Sequence, residues 1–328
     1  MSDPGMTESG PAPVTRLTER FGLSAPIVSA PMAMVAGGRL AAAVSRAGGL
    51  GFIGGGYGDV AWIEAQMAEA GTMAVGCGLI TWALEQREAE APGLYDRVLA
   101  RRPAAVFLSF GNPEPYVARA RAAGVPVFVQ VQSLRGAREA LEAGADVIVA
   151  QGSEAGGHGA TRGTMSLVPE VVDAVGDRAL VLAAGGIADG RGLAAALMLG
   201  ADGVLVGTRF WAAEEALVAP GFQTAAVAAD GDMTLRSSLP DIARGLDWPA
   251  PYTIRTLRNG WTAQWEAVPG GPVSREARAA YARAVAEGDA ERAPAIAGEA
   301  VGLIRAVEPA EAIVARMMRE AQEALARW

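Results

Sequence analysis

Few residues in this chain are equipped for chemistry, and their scarcity is selective. Among 328 residues there is one histidine, His158, one cysteine, Cys77, and no lysine. Without an amine, Schiff-base, pyridoxal and P-loop chemistry are excluded. A single imidazole excludes zinc sites built on several histidines and the two-His-one-carboxylate iron site, and no metal is expected. A single cysteine forms no intrachain disulfide or CxxC pair, which fits a reducing, cytoplasmic setting. Imidazole acid–base chemistry therefore runs through His158 or not at all.

His158 stands in the run Gln151-Gly152-Ser153-Glu154-Ala155-Gly156-Gly157-His158-Gly159. Glycines on both sides of a histidine pack poorly in a core. They suit a backbone that wraps a flat ligand and projects one imidazole over it, as a general base or polar anchor. Gln151 reads as a partner for the polar edge of a heterocycle, and Gln130 equally as that or as an ordinary amide. Met32 reads as packing against a flat ring or as core. Glu154 reads as a loop-bracing carboxylate. Cys77, among apolar neighbours, reads as a small buried residue and not a nucleophile.

Two further glycine runs, Ala184-Gly185-Gly186-Ile187-Ala188-Asp189-Gly190 and Val206-Gly207-Thr208-Arg209, bring bare backbone N–H groups and a hydroxyl together. With the helix expected to begin near Asp189 aiming its positive end the same way, they predict a phosphate cradle that needs no lysine.

The elements that must position these residues are legible as an alternation. Short β-branched, apolar runs occur at 26–30, 49–53, 73–79, 104–109, 125–131, 146–150, 179–184 and 203–206, as strands buried on both faces require. Between them, segments such as 39–47, 60–70, 115–123, 134–143, 167–175 and 190–199 carry apolar residues at helical spacing. The joints repeat Gly-Ala-Asp or a lone glycine, which ends a helix in the left-handed conformation. Eight strand–helix units predict a closed (β/α)8 barrel, whose ligands bind in the loops at the C-terminal ends of its strands. There the chain has Ala30-Pro31-Met32-Ala33, Gly76-Cys77-Gly78-Leu79-Ile80-Thr81-Trp82, Gln130, Gln132 and the three runs above.

The eighth helix is expected from 309–328. Residues 213–308 are expected to form an inserted, mostly helical subdomain covering the active site, with a long loop at about 235–274. Residues 1–14 read as a loose tail, leaving the barrel to 15–212 plus the last helix. With 28 basic and 36 acidic residues, a net −8, no basic field invites nucleic acid. No apolar run is long enough for a membrane span.

These motifs resemble those of the nitronate monooxygenases, once called 2-nitropropane dioxygenases. The resemblance rests on Ala25-Pro26-Ile27, Ala30-Pro31-Met32, Gly48-Gly49-Leu50-Gly51, the Gln151–His158 run, Ala184–Gly190 and Gly207-Thr208-Arg209-Phe210, spread over about residues 20–215. It implies an FMN-dependent (β/α)8 (TIM) barrel acting on a nitroalkane or nitronate with O2 and releasing a carbonyl compound and nitrite. It implies that His158 is the catalytic base. It places the FMN phosphate on Gly185, Gly186, Gly207 and Thr208, and the ring against Met32 and Gly156, with Gln151 near its polar edge. Pro31, Gly78, Gln130, Gly157, Ala184 and Val206 complete the expected cofactor contacts. Many members carry asparagine where this chain has Gly78, so that side-chain contact is not made here. The same loops also suit an FMN-dependent NAD(P)H oxidoreductase of enoyl-ACP or quinone reductase type, or a flavin-binding protein without turnover. A homodimer is compatible with the resemblance and is not read from the residues.

Overall fold

The computed structural model describes residues 13–327. Residues 1–12, most of the expected tail, lie outside that range. Eleven strands follow in chain order: β1 Ile27–Ser29, β2 Phe52–Gly56, β3 Gly76–Ile80, β4 Val106–Ser109, β5 Val127–Val131, β6 Val147–Gln151, β7 Gly157–Gly159, β8 Leu180–Ala184, β9 Gly203–Val206, β10 Thr234–Ser237 and β11 Thr253–Leu257. Eight of them form one parallel sheet in the order β1-β9-β8-β6-β5-β4-β3-β2. A bridge between Val28 and Leu50 brings β1 to the start of β2 and closes the ring. All eight expected strands are present. Gly76–Ile80, expected in the loop after the third strand, is that strand itself. Two helices of the third unit, Thr81–Glu90 and Leu94–Ala100, had no clear periodic signal.

The repeated Gly-Ala-Asp joints have a physical purpose. Gly144 and Gly200 end their helices at φ 91° and 89°. The aspartate that follows then accepts an N–H at the start of the preceding strand: Asp146 from Val127 (2.9 Å) and Asp202 from Val181 (2.8 Å). The same carboxylates receive Arg20 and Arg16 of the helix Arg16–Phe21, which plugs the bottom of the barrel. Leu17 of that helix is fully buried against the interior.

Period-two alternation divides the barrel interior by height. Phe52, Phe107 and Phe128 fill the middle, with ring centroids 5.1–6.2 Å apart. Burying each is worth about 2–3 kcal/mol. Two residues beyond the inward Phe107, Phe128 and Val149 come Ser109, Gln130 and Gln151, so the interior turns polar at the C-terminal mouth.

The helix Ala310–Leu325 packs against Gly190–Met198 and Gly38–Arg46, and supplies the eighth helix. Between it and β9 the chain leaves and returns at one point, where Ala213 bridges Glu308. The fully buried Arg209 ties this junction by donating to the Ala306 carbonyl (3.0 and 3.1 Å) and to Glu308. The inserted segment differs from expectation at 235–274, which is no loop. It holds β10, β11 and the helices Leu239–Arg244 and Gly260–Glu266. β10 and β11 pair antiparallel, and β11 pairs in turn with β7, with Ile254 opposite His158. These strands were illegible because they are short, bear arginines and are separated by a helix instead of a tight turn. Among the described residues no helix is long and apolar enough to cross a membrane.

Candidate active site

The C-terminal mouth opens into a cavity with about 1220 Å³ of empty space, its open entrance included. Of the residues expected to make the site, Pro31, Met32, Gln130, Gln151, Gly156, Gly157, His158, Ala184, Gly185, Gly186, Gly207 and Thr208 line it. Gly78 and Val206 lie behind the wall. Gly78 sits in β3, where an added Cβ would fall 2.2 Å from Pro31 Cβ, so the missing side chain makes room for Pro31. Val206 points outward into the layer between strands and helices, because Leu205 takes the inward position.

One side of the cavity is made of backbone. Gly185 and Gly186 have φ of 99° and 74°, which side-chain-bearing residues rarely adopt. Among the described residues the N–H groups of Gly185, Gly186, Gly207 and Thr208 donate to no protein acceptor. Orphan donors gathered on one wall are what a bound anion satisfies. At Gly207 an added Cβ would meet only Ala30 Cβ at 3.6 Å, so this backbone faces open space. Gly298, from the inserted segment, donates its N–H to Thr208 Oγ1 (3.0 Å) and straps the cradle from above. The first residues of the helix Gly190–Met198 lie outside the cavity lining, and two of its first N–H groups are already used: Gly190 N–H donates to Glu320 (2.9 Å) and Gly192 N–H to Asp189 (3.1 Å). The cradle combines the loop amides of Gly185 and Gly186 with those of Gly207 and Thr208 at the start of the short helix Thr208–Trp211, and these fit the phosphate end of a flavin nucleotide.

The other side is made of side chains. His158 lies in β7, with its backbone paired to β11 and its loop held by two arginines of the inserted sheet. Arg236 donates to the carbonyls of Ser153 and Ala155 (3.0 Å each), and Arg255 Nε donates to that of Ser153 (3.0 Å). Burial, with Arg255 beside it, pushes Arg236 down to about 10, which leaves it charged at neutral pH. Gln151 lines the cavity and is tied into the wall. Its Oε1 accepts from Gln130 (3.1 Å) and Gln132 (2.9 Å), and its Nε2 donates to the His158 carbonyl (3.0 Å). Gln151 therefore positions the histidine strand, and Gln130 keeps a carbonyl oxygen for the cavity.

The imidazole has three neighbours that the sequence did not single out. Nε2 donates to both oxygens of Asp241 (3.0 and 2.9 Å). Trp248 stacks on one ring face, centroids 3.4 Å apart and planes 9° from parallel. Phe110 meets it edge-on at 6.2 Å, held at φ 61°, a costly conformation for a bulky residue. A carboxylate only accepts, so Nε2 carries the proton and Nδ1 keeps its lone pair. Burial is the largest influence on His158 and pulls its pKa below the usual 6.5, while Asp241 opposes. At neutral pH the ring is a neutral base fixed in one tautomer. Asp241 and Trp248 belong to the inserted segment, far along the chain, and no local motif announces them.

Two candidates fall out of the chemistry as expected. Glu154 accepts from Thr164 N–H (3.0 Å) and Oγ1 (2.9 Å) and braces the loop. Cys77 is fully buried, and burial pushes its thiol up to about 12.

An interior sealed below, an anion cradle and a fixed neutral base at one mouth define a barrel oxidoreductase that houses a flavin. The family model described as nitronate monooxygenase matches residues 14–76 and 76–320. A nitronate monooxygenase of Neurospora crassa is 36% identical, covering 96% of this chain and 94% of that one. FabK from Thermotoga maritima superposes with a TM-score of 0.81 at 32% identity, covering 95% of this chain and 97% of that one. The nitroalkane oxidase of Streptomyces ansochromogenes gives a TM-score of 0.75 at 30% identity, covering 95% and 99%. The chain belongs to the nitronate monooxygenase family.

Proposed function

We propose that this enzyme uses FMN and O2 to convert alkyl nitronates, and nitroalkanes after deprotonation, into carbonyl compounds and nitrite in the cytoplasm. The observation that carries the reading is the His158–Asp241 pair: a neutral imidazole with Nε2 committed and Nδ1 available, on the wall of a flavin-sized cavity. A single cradle of unpaired amides supports a monophosphate. Gly185, Gly186, Gly207 and Thr208 would hold it, Met32 and Gly156 would flank the ring, and Gln130 would meet its polar edge. When bound, FMN supplies the one-electron redox chemistry between substrate and O2.

The protein's own part is proton transfer and orientation. Nδ1 of His158 takes the α-proton of a nitroalkane, whose C–H electron pair moves onto the nitro group. Asp241 stabilises the imidazolium that results, and Trp248 keeps the ring from rotating. The residues expected to cover the active site, among them Trp248, Ile254 and Ile296 of the inserted segment, exclude water from the reacting face.

The test is anaerobic mixing of the yellow holoenzyme with ethyl nitronate, nitroethane, NADH or NADPH, followed by nitrite assay in air. Flavin reduction and nitrite release with the nitro compounds are expected. Flavin bleaching by NAD(P)H at the rate of turnover, with none by nitronate, would establish the reductase alternative instead.

A further inference from the structure

Beside His158 stands a cation that the proton transfer above does not use. Arg244 lines the cavity and is the last residue of the helix Leu239–Arg244. Its Nη2 pairs with Asp241 Oδ1 and its Nε donates to the Pro240 carbonyl (3.2 Å). Among the described residues it makes no second ion pair. Tyr57 stands in the same wall, close enough for Arg244 to act on its hydroxyl, which accepts from Trp248 Nε1 (3.0 Å). Asp241 is almost wholly buried, at 3% exposure, so its charge is matched at close range and not by solvent.

The charge count around the imidazole is instructive. At rest Asp241 and Arg244 pair, and burial, with Arg244 and Arg236 nearby, keeps His158 neutral. Once His158 holds a proton, the group His158–Asp241–Arg244 carries two cations and one anion. A nitronate, whose charge is shared over two nitro oxygens, restores the balance. We infer that Arg244, with the Tyr57 hydroxyl, is the subsite for those oxygens, and that the pocket selects a planar, delocalised oxyanion. The inference rests on the nitronate reading and adds to it the group that recognises the anion. The planar fork of an arginine matches an O–N–O edge better than a point charge does. Phe110 and Trp248 form an apolar wall beside it, and an ion pair gains strength where water is kept out.

The probe is nitrate, a planar oxyanion without an α-proton. It is titrated calorimetrically into wild-type holoenzyme, Arg244→Met and Arg244→Lys, beside steady-state turnover of ethyl nitronate and nitroethane. Nitrate is expected to bind wild type, about tenfold or more weakly to Arg244→Met, and in between to Arg244→Lys. KM for ethyl nitronate should rise by a similar factor. Nitroethane arrives neutral and should lose kcat with KM little changed. A merely structural Arg244 would lower both substrates alike. Where Arg244→Met yields no folded protein, Arg244→Lys and Tyr57→Phe carry the same comparison. Absent nitrate binding in wild type, or equal Kd in wild type and variant, overturns the subsite. If nitronate turns over while that Kd is unmoved, the enzymatic reading stands and the subsite fails. If nitrate binding depends on Arg244 but neither nitro compound reacts, the subsite stands and the nitronate reading fails.

Discussion

The two walls of the cavity are built on opposite principles. The cradle wall is main chain: Gly185, Gly186 and Gly207 hold orphan amides where a phosphate would satisfy them, on loops adjacent in the barrel. The histidine wall is side chain: Asp241, Arg244 and Trp248 reach His158 from a segment inserted between the last strand and the last helix. A backbone site depends only on local conformation, so a few glycines specify it. A side-chain site depends on which distant element docks, so the same barrel accommodates different chemistry by changing its insertion. Under the proposed function, cofactor retention falls to one wall and catalysis with substrate choice to the other.

The sharpest way to break that division is His158→Ala. It should lower kcat/KM for nitroethane about 10³-fold, and that for preformed ethyl nitronate far less, with FMN content unchanged. Oxygen consumption and flavin absorbance measure both, and loss of flavin would show that the walls are not separable.

Asp241→Asn should cost about 10²-fold on nitroethane, because an amide no longer fixes the proton on Nε2. It also removes the group that raises the His158 pKa, while Arg244 and Arg236, which lower it, remain. A base must be unprotonated to act, so the rising limb of the pH–rate profile should move to lower pH. A limb that moves up would contradict the assigned tautomer.

Arg236→Met strips the carbonyls of Ser153 and Ala155 of their donor in a partly buried site. A loss of about 2–3 kcal/mol is expected in denaturant unfolding, with the β7 loop opening first in hydrogen exchange. On the other wall, the methyl of Gly207→Ala would meet only Ala30 Cβ at 3.6 Å and should leave the Tm of the apo-protein near wild type. FMN should bind about tenfold more weakly, because the new methyl intrudes on the cradle.

The smallest effect is a linkage. Burial depresses the His158 pKa below its usual 6.5, so the unfolded chain binds that proton more readily than the folded one. Its contribution to stability should be complete above about pH 6.5 and fade as pH falls toward the folded value, and His158→Gln should remove that part of the pH dependence.

Much of the barrel was legible. Each parallel strand is buried on both faces, so its sequence is a compact apolar run bounded by glycine. The cradle glycines were visible for the same reason, since left-handed backbone at Gly185 and Gly186 leaves a mark in residue type. Gln151 was visible in the wall because its place follows from the strand pattern, while its partners Gln132 and the His158 carbonyl do not. Val206 shows the limit of counting along a strand: one residue past Leu205, it faces the helices.

By itself the sequence determined the strand–helix alternation, the glycine-bearing backbone at the barrel mouth and the one imidazole available for acid–base chemistry. These follow from local rules: burial periodicity, glycine conformation and the inventory of side chains. Only the tertiary structure decided that Asp241 accepts from Nε2–H, that Trp248 covers the ring and that Arg236 grips the loop. Those contacts join residues some eighty to ninety positions apart. Their energy appears only after β10 and β11 pair with β7, an event that no local pattern in the chain encodes.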